Sequence, residues 1–203
     1  SINDLSSKLY QLGHEHKIDD SIFDIEFTPN RGDCLSLYGL SRDLNIFYKQ
    51  NSDVQIYSDD IPNTTINFSN NAVLDCPKIS FLNIQIDGEV NEYKDYLHSY
   101  FECFNLKKNN FFTDISNYLA YELGQPTHAY DADKVNGHIT LERNKNDKSF
   151  LTLTDEKIIV QESDLVFTND EEIINLAGIM GGMKSACDVN TKNVLIESAY
   201  FLP

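Results

Sequence analysis

After residue 138 the chain carries six short apolar segments: Ile139–Arg143, Phe150–Leu153, Ile158–Val160, Leu165–Thr168, Ile173–Leu176 and Val194–Ser198. Their spacing is too tight for the helical crossovers that a doubly wound parallel sheet requires. Hairpins are the economical solution, and Thr154-Asp155-Glu156 reads as the turn of one. Upstream, the apolar period changes from two toward that of a helix. The combination predicts an α+β fold: mixed or antiparallel sheets layered with three or four helices.

The upstream elements can be taken in order. Asn3 is placed to cap a short helix carrying Leu5, Leu9 and Leu12, closed by Gly13. His14-Glu15-His16 follows; with no third ligand near in sequence it reads as an exposed polar turn rather than a metal site. Phe23–Phe27 alternates apolar and polar, as a half-buried strand does. Thr28–Gly32 is a turn, after which Asp33 is expected to cap a helix with a core stripe of Leu37, Leu40, Leu44 and Phe47. Residues 50–64 are polar and turn-rich, as in a connecting loop. Strands are expected at 65–69 and 79–87. A third helix capped by Asn91 would bury Tyr93, Leu97, Phe101 and Phe104.

The stretch Asp114–Asp133, DISNYLAYELGQPTHAYDAD, reads as a helix capped by Asp114, with Ile115, Tyr118, Leu119 and Leu123 at helical spacing. Gly124 can end it in a left-handed turn, and Pro126 forbids continuation. Just beyond this corner lies a cluster rich in reactive groups, His128-Ala-Tyr130-Asp131-Ala-Asp133, although His128 taken alone reads more readily as a core histidine or a polar residue at a strand end. Asn117 sits about two turns before the corner.

Composition narrows the function classes. The formal charge is −16, with 32 acidic and 16 basic residues, which argues against sequence-independent nucleic-acid binding. No apolar run approaches the ~20 residues of a membrane helix, and no signal peptide opens the chain. Cys34, Cys76, Cys103 and Cys187 are widely spaced without a CxxC pair, and read as reduced core or near-core thiols of a cytoplasmic protein.

P-loop, GxGxxG, GxSxG and HExxH patterns are absent. Gly178-Ile-Met-Gly181-Gly182 has the wrong spacing for a phosphate loop. It reads either as a tight β-turn or as backbone that a ligand can approach closely, with amide donors exposed. Glu197 interrupts the apolar segment Val194–Phe201. On an alternating strand it shares a face with Leu195 and Ala199, where a buried carboxylate needs a partner or a ligand; an exposed strand end is the equal alternative.

Four blocks together resemble one family. Phe23–Leu44 (FDIEFTPNRGDCLSLYGLSRDL), Asp114–Asp133, Leu176–Gly182 (LAGIMGG) and Asn193–Pro203 (NVLIESAYFLP) are similar, in the same order, to the editing module of bacterial phenylalanyl-tRNA synthetase beta subunits. The resemblance implies a module that hydrolyses tyrosine misattached to phenylalanine tRNA, in an enzyme whose activation site lies on its alpha subunit. It implies His128 and Asn117 as catalytic positions, and Glu197, Gly181 and, more weakly, Ser116 as substrate-binding positions. Its implied partners are the alpha subunit, the rest of the beta subunit and the 3′ end of phenylalanine tRNA. No cofactor or metal is implied in the module, ATP and magnesium serving the whole enzyme elsewhere. An alternative within the family is a structural module that has lost editing.

Two stretches depart from the family pattern. Asn91-Glu-Tyr93 stands where a Ser-Pro and an aromatic residue are usual, and Lys107-Lys-Asn109 where an Arg-Pro is usual. The expected organisation is a lead-in helix and turn over 1–20 and the module over 21–203. A division of the module into two packed lobes, 21–90 and 91–203, is the second option, and the module is expected to continue past Pro203.

Overall fold

A computed structural model describes residues 1–50, 60–88, 90, 93–135, 137–170 and 172–202. The chain forms two compact units, Ser1–Asp60 with Asn117–Pro126, and Ile61–Ser116 with Thr127–Pro203.

In the first unit, α1 (Ile2–Gln11) is capped by Ser1, whose hydroxyl accepts from the Asp4 N–H at 3.3 Å. The cap therefore falls two residues earlier than the expected Asn3. The His14-Glu15-His16 triplet is not an exposed turn. It leads into β1 (Glu15–Asp19), which pairs antiparallel with β2 (Ile22–Glu26), the alternating strand. His14 is only 3% exposed, and His16 hydrogen-bonds Ser6 Oγ at 2.8 Å. Asp33 lies in a short 3-10 turn, Gly32–Cys34, and does not cap the next helix. That helix, α2 (Leu37–Tyr48), is capped by Ser36, which accepts from the Gly39 N–H at 3.0 Å. A Cβ at position 39 would stand 1.8 Å from the Asp33 carbonyl oxygen, so the turn requires glycine there. Leu40, Leu44 and Phe47 are half-buried, whereas Leu37, in the first turn, is exposed.

The second unit begins with β3 (Phe68–Asn70) and β4 (Lys78–Gln85), then α3 (Asp95–Cys103), which buries Leu97 and Phe101. Phe104 is exposed at its end, and the expected cap Asn91 lies outside the described residues, as does most of the 50–64 segment. The helix of the central stretch, α4 (Phe111–Leu123), starts three residues before Asp114. Asn110 Oδ1 accepts from the Thr113 N–H at 3.1 Å, taking the capping role expected of Asp114. Asp114 is instead 1% exposed, accepting from the Asn109 N–H at 3.0 Å and from the Tyr93 phenol. Gly124 ends α4 with φ +81°. The helix contributes Phe111–Ser116 to the second unit and the rest to the first.

The remaining strands are β5 (His128–Asp131), β6 (Ile139–Arg143), β7 (Lys148–Leu151), β8 (Lys157–Val160), β9 (Leu165–Asn169), β10 (Glu172–Leu176), β11 (Met180–Gly181) and β12 (Asn193–Tyr200). Three form an antiparallel sheet in the order β4-β12-β5, and five form another in the order β11-β10-β9-β6-β3. In the latter only the β3–β6 pair is parallel. β4 pairs with β12 over eight residues, so residues 61–88 fold with the C-terminal strands.

The core lies between these two sheets. Tyr130 and Leu195 from the smaller meet Ile139, Leu141, Phe167 and Ile174 from the larger. The β7–β8 hairpin packs Phe150 and Val160 against Val166 and Ile173, on the larger sheet's other face. All four cysteines are free thiols. Cys34 and Cys76 are buried and Cys187 is half-buried, but Cys103 is exposed rather than near the core. No helix among the described residues is long and apolar enough to cross a membrane.

Candidate functional site

Alternation along β12 sends Glu197 to the inner face with Leu195, and antiparallel register sets it directly opposite His128 on β5. Tyr130, two residues on from His128, shares that face and stands opposite Leu195. The imidazole and phenol rings meet edge to face with centroids 4.4 Å apart. One sheet thus presents an acid, an imidazole and a phenol side by side.

The larger sheet closes over them. Gly181 on β11 pairs with Asn175 on β10, in line with Phe167 and Leu141 of the core. A Cβ at position 181 would come within 2.3 Å of His128 Cε1 and 2.8 Å of Leu153 Cδ1. The glycine therefore lets the imidazole lie against bare backbone. The Gly178–Gly182 segment is a tight connection, with Gly178 at φ +71° and the Ile179 N–H donating to Leu176 O. The Gly182 amide donates to Ile174 O at 2.9 Å, as the tight-turn reading of this segment requires.

Two groups not singled out as site residues complete the site. The Tyr130 hydroxyl donates to Glu197 Oε2 at 2.9 Å and accepts from Asn175 Nδ2 at 2.8 Å. Asn175 reaches inward because β10 shifts register between Ile173 and Asn175. Strict alternation would leave Asn175 on the face of Ile173, which packs under the β7–β8 hairpin. Tyrosine reads as an apolar ring in a sequence pattern, and the bulge has no sequence signature, so neither was marked.

Burial dominates the electrostatics. Glu197 is 5% exposed, and desolvation pushes its carboxyl up to about 7, the Tyr130 hydrogen bond working in the opposite direction. Desolvation lowers His128 to about 4, so the half-buried imidazole is neutral at pH 7. Burial raises the Tyr130 phenol well above its ordinary value, keeping it protonated as a donor. The site therefore offers a neutral imidazole that can bind or orient water, and a carboxylate near half-ionisation with an acceptor oxygen to spare.

Ser116 braces this arrangement. Its hydroxyl donates to the Thr127 carbonyl at 2.7 Å and lies 2.6 Å from the Thr127 hydroxyl, fixing the residue before His128. Asn117 is half-buried and belongs to the first unit. Asp131 and Asp133, the acids of the His128 cluster, are structural. Asp131 accepts from Thr191 Oγ1 at 2.8 Å, and Asp133 accepts from Asn193 Nδ2 at 3.0 Å. These bonds tie the end of β5 to the start of β12.

The chain as a whole is similar to known proteins. The B3/4 domain profile matches residues 85–203. The chain is 32% identical to the phenylalanine–tRNA ligase beta subunit of Rickettsia bellii, over 91% of this chain and 24% of that subunit. The corresponding figures are 33%, 92% and 24% for the subunit of Psychrobacter arcticus, and 33%, 95% and 25% for that of Fusobacterium nucleatum. The chain thus spans about a quarter of the length of these relatives. A crystal structure of an N-terminal fragment of the Pyrococcus horikoshii phenylalanyl-tRNA synthetase beta subunit has the same fold, with a TM-score of 0.51 at 12% identity, covering 98% of this chain and 62% of that one. With the profile covering more than half of its residues, the chain belongs to the B3/4 domain family.

Proposed function

We propose that this chain is the editing portion of a phenylalanine–tRNA ligase beta subunit, a cytoplasmic enzyme, and that its seam between sheets hydrolyses tyrosine misattached to phenylalanine tRNA. The observation that carries the reading is the juxtaposition of Glu197, His128 and Gly181 on facing strands, at positions the family resemblance marks. The alpha subunit, the rest of the beta subunit and the 3′ end of the tRNA are its partners in this reading. The module itself needs no cofactor, ATP and magnesium acting elsewhere in the whole enzyme.

The chemistry follows from what an apolar pocket can do. Such a pocket cannot strongly exclude a ligand that merely adds a hydroxyl, so an enzyme selecting phenylalanine gains from a second site that requires the hydroxyl. Glu197 would accept the phenol hydrogen, whereas phenylalanine would leave the buried acid without that bond. Neutral His128, held by Ser116 through Thr127, would position the ester or the attacking water. Asn117, which the resemblance also marks, is proposed as a catalytic position on that ground alone. Gly181, by lacking a side chain, would let His128 stand at the seam where the ester is held.

A second reading, a module that keeps the fold without hydrolysis, draws on the Tyr130 phenol already seated on Glu197 Oε2. The two separate in the intact synthetase. Mischarged tyrosyl-tRNA should be cleared by the wild-type subunit pair and persist with Glu197→Ala. Persistence with the wild type supports the non-hydrolytic module, and undiminished clearance by the variant removes Glu197 from the reaction.

A further inference from the structure

The site contains a buried phenol that the proposed hydrolysis does not use. Tyr130 is fully buried within the core cluster, so its ring cannot swing out to compete with a substrate. Its hydroxyl is held at both ends. When Glu197 is ionised it only accepts, and the Asn175 amide NH2 only donates, so in that form the order Asn175→Tyr130→Glu197 has one consistent direction. A donor behind the phenol polarises it and strengthens the bond it gives to the carboxylate. The relay ends on Oε2 alone, and Oε1 of Glu197 has no hydrogen-bond partner among the described residues.

The geometry points to Tyr130, held by Asn175, as a specificity-determining positioning residue: it fixes one oxygen of Glu197 so that the other faces the hydroxyl of an incoming tyrosine ring. The inference rests on the proposed editing function and deepens it. One carboxylate serves two phenols, the chain's own as a permanent anchor and the substrate's as the group recognised. The anchor also favours the ionised carboxylate, the form able to accept the second hydrogen bond. The titratable groups that face Glu197 are His128 and Tyr130 from β5, and Cys76 from the loop before β4, whose thiol the acid helps to raise. Phe81 opposes it from β4, and Asn175 comes from β10.

The test uses the full subunit pair with Tyr130→Phe, which keeps the ring and removes only the hydroxyl. Hydrolysis of tyrosyl- and phenylalanyl-tRNA is measured from pH 6 to 9. The variant should lose about tenfold of its preference for the tyrosyl ester at pH 7. The preference should recover as pH rises, because the carboxyl now ionises later. Asn175→Ala should shift the profile in the same direction by a smaller amount, and it provides the readout if Tyr130→Phe does not fold. Loss of preference in Glu197→Ala, with the wild-type preference and pH profile kept in Tyr130→Phe, overturns the role of Tyr130 alone. A wild-type enzyme that leaves tyrosyl-tRNA intact overturns both this role and the editing function.

Discussion

The two compact units each gather an imidazole, a carboxylate and further polar groups, with opposite electrostatic results. In the first unit His14, Cys34 and Asp43 lie together with two arginines. Arg31 donates to Asp33 at 3.0 Å, to Cys34 Sγ at 2.7 Å and to Asp43, and Arg42 donates to Asp33. The Arg31 hydrogen bond holds Asp33 well below the ordinary carboxylate range. Burial acts upward on Asp43, yet the bonds from Arg31 and Cys34 leave it lowered. In the second unit no guanidinium or ammonium is bonded to Glu197 among the described residues, and burial carries it up to about 7. A neighbouring cation turns a carboxylate into a fixed charge suited to holding a turn. Without one, the acid stays near half-ionisation, suited to exchanging partners.

The largest expected effect exploits this difference through pH. Glu197 has a folded value above its ordinary 4.5. Its contribution to stability is therefore fully present below about pH 4.5 and is lost as pH rises through about 7. The shift corresponds to about 3 kcal/mol. Urea unfolding of wild type and Glu197→Gln should diverge by about that amount between pH 4.5 and 8, with the variant gaining relative stability at high pH. His128 works the other way. Its lowered value gives stability above about pH 6.5 that is lost as pH falls through about 4. Parallel curves for wild type and Glu197→Gln would mean that the acid is not desolvated.

Gly181→Ala should come next, because its Cβ would meet the imidazole at 2.3 Å. Destabilisation of about 2 kcal/mol is expected by chemical denaturation, together with slowed tyrosyl-ester hydrolysis in the intact enzyme. Asp43→Asn tests the charged cluster from the other side. It should cost about 1–2 kcal/mol at pH 7 by replacing the charge that pairs with Arg31 by a neutral amide. That penalty should shrink as pH falls through the lowered folded value, the reverse of the trend at Glu197. Ser116→Ala, which removes the tether to Thr127, should cost about 1 kcal/mol or less while slowing hydrolysis several-fold.

Much of this was legible in residue order. The strand spacing after Ile139 forced antiparallel pairing, and Glu197 among apolar neighbours was either an exposed strand end or an acid in need of a partner, which the burial on β12 decides for the second. The capping residues were less legible, because Ser1, Ser36 and Asn110 compete with Asn3, Asp33 and Asp114 only a few positions away, and tertiary partners decide. Asp33 and Asp114 carry the right chemistry for a cap, but Arg31 and Tyr93 claim them instead. The Asn175–Tyr130–Glu197 relay was not legible at all. It depends on the β10 bulge and on pairing between segments 45 and 67 residues apart.

The account stands most directly on whether Glu197 senses a phenol hydroxyl. The decisive quantity is the ratio of kcat/KM for tyrosyl- over phenylalanyl-tRNA hydrolysis in the intact enzyme, compared between wild type and Glu197→Ala. A fall of about 100-fold or more in that ratio, with phenylalanyl-ester hydrolysis nearly unchanged, is the predicted result. An unchanged ratio in the variant would contradict the claim.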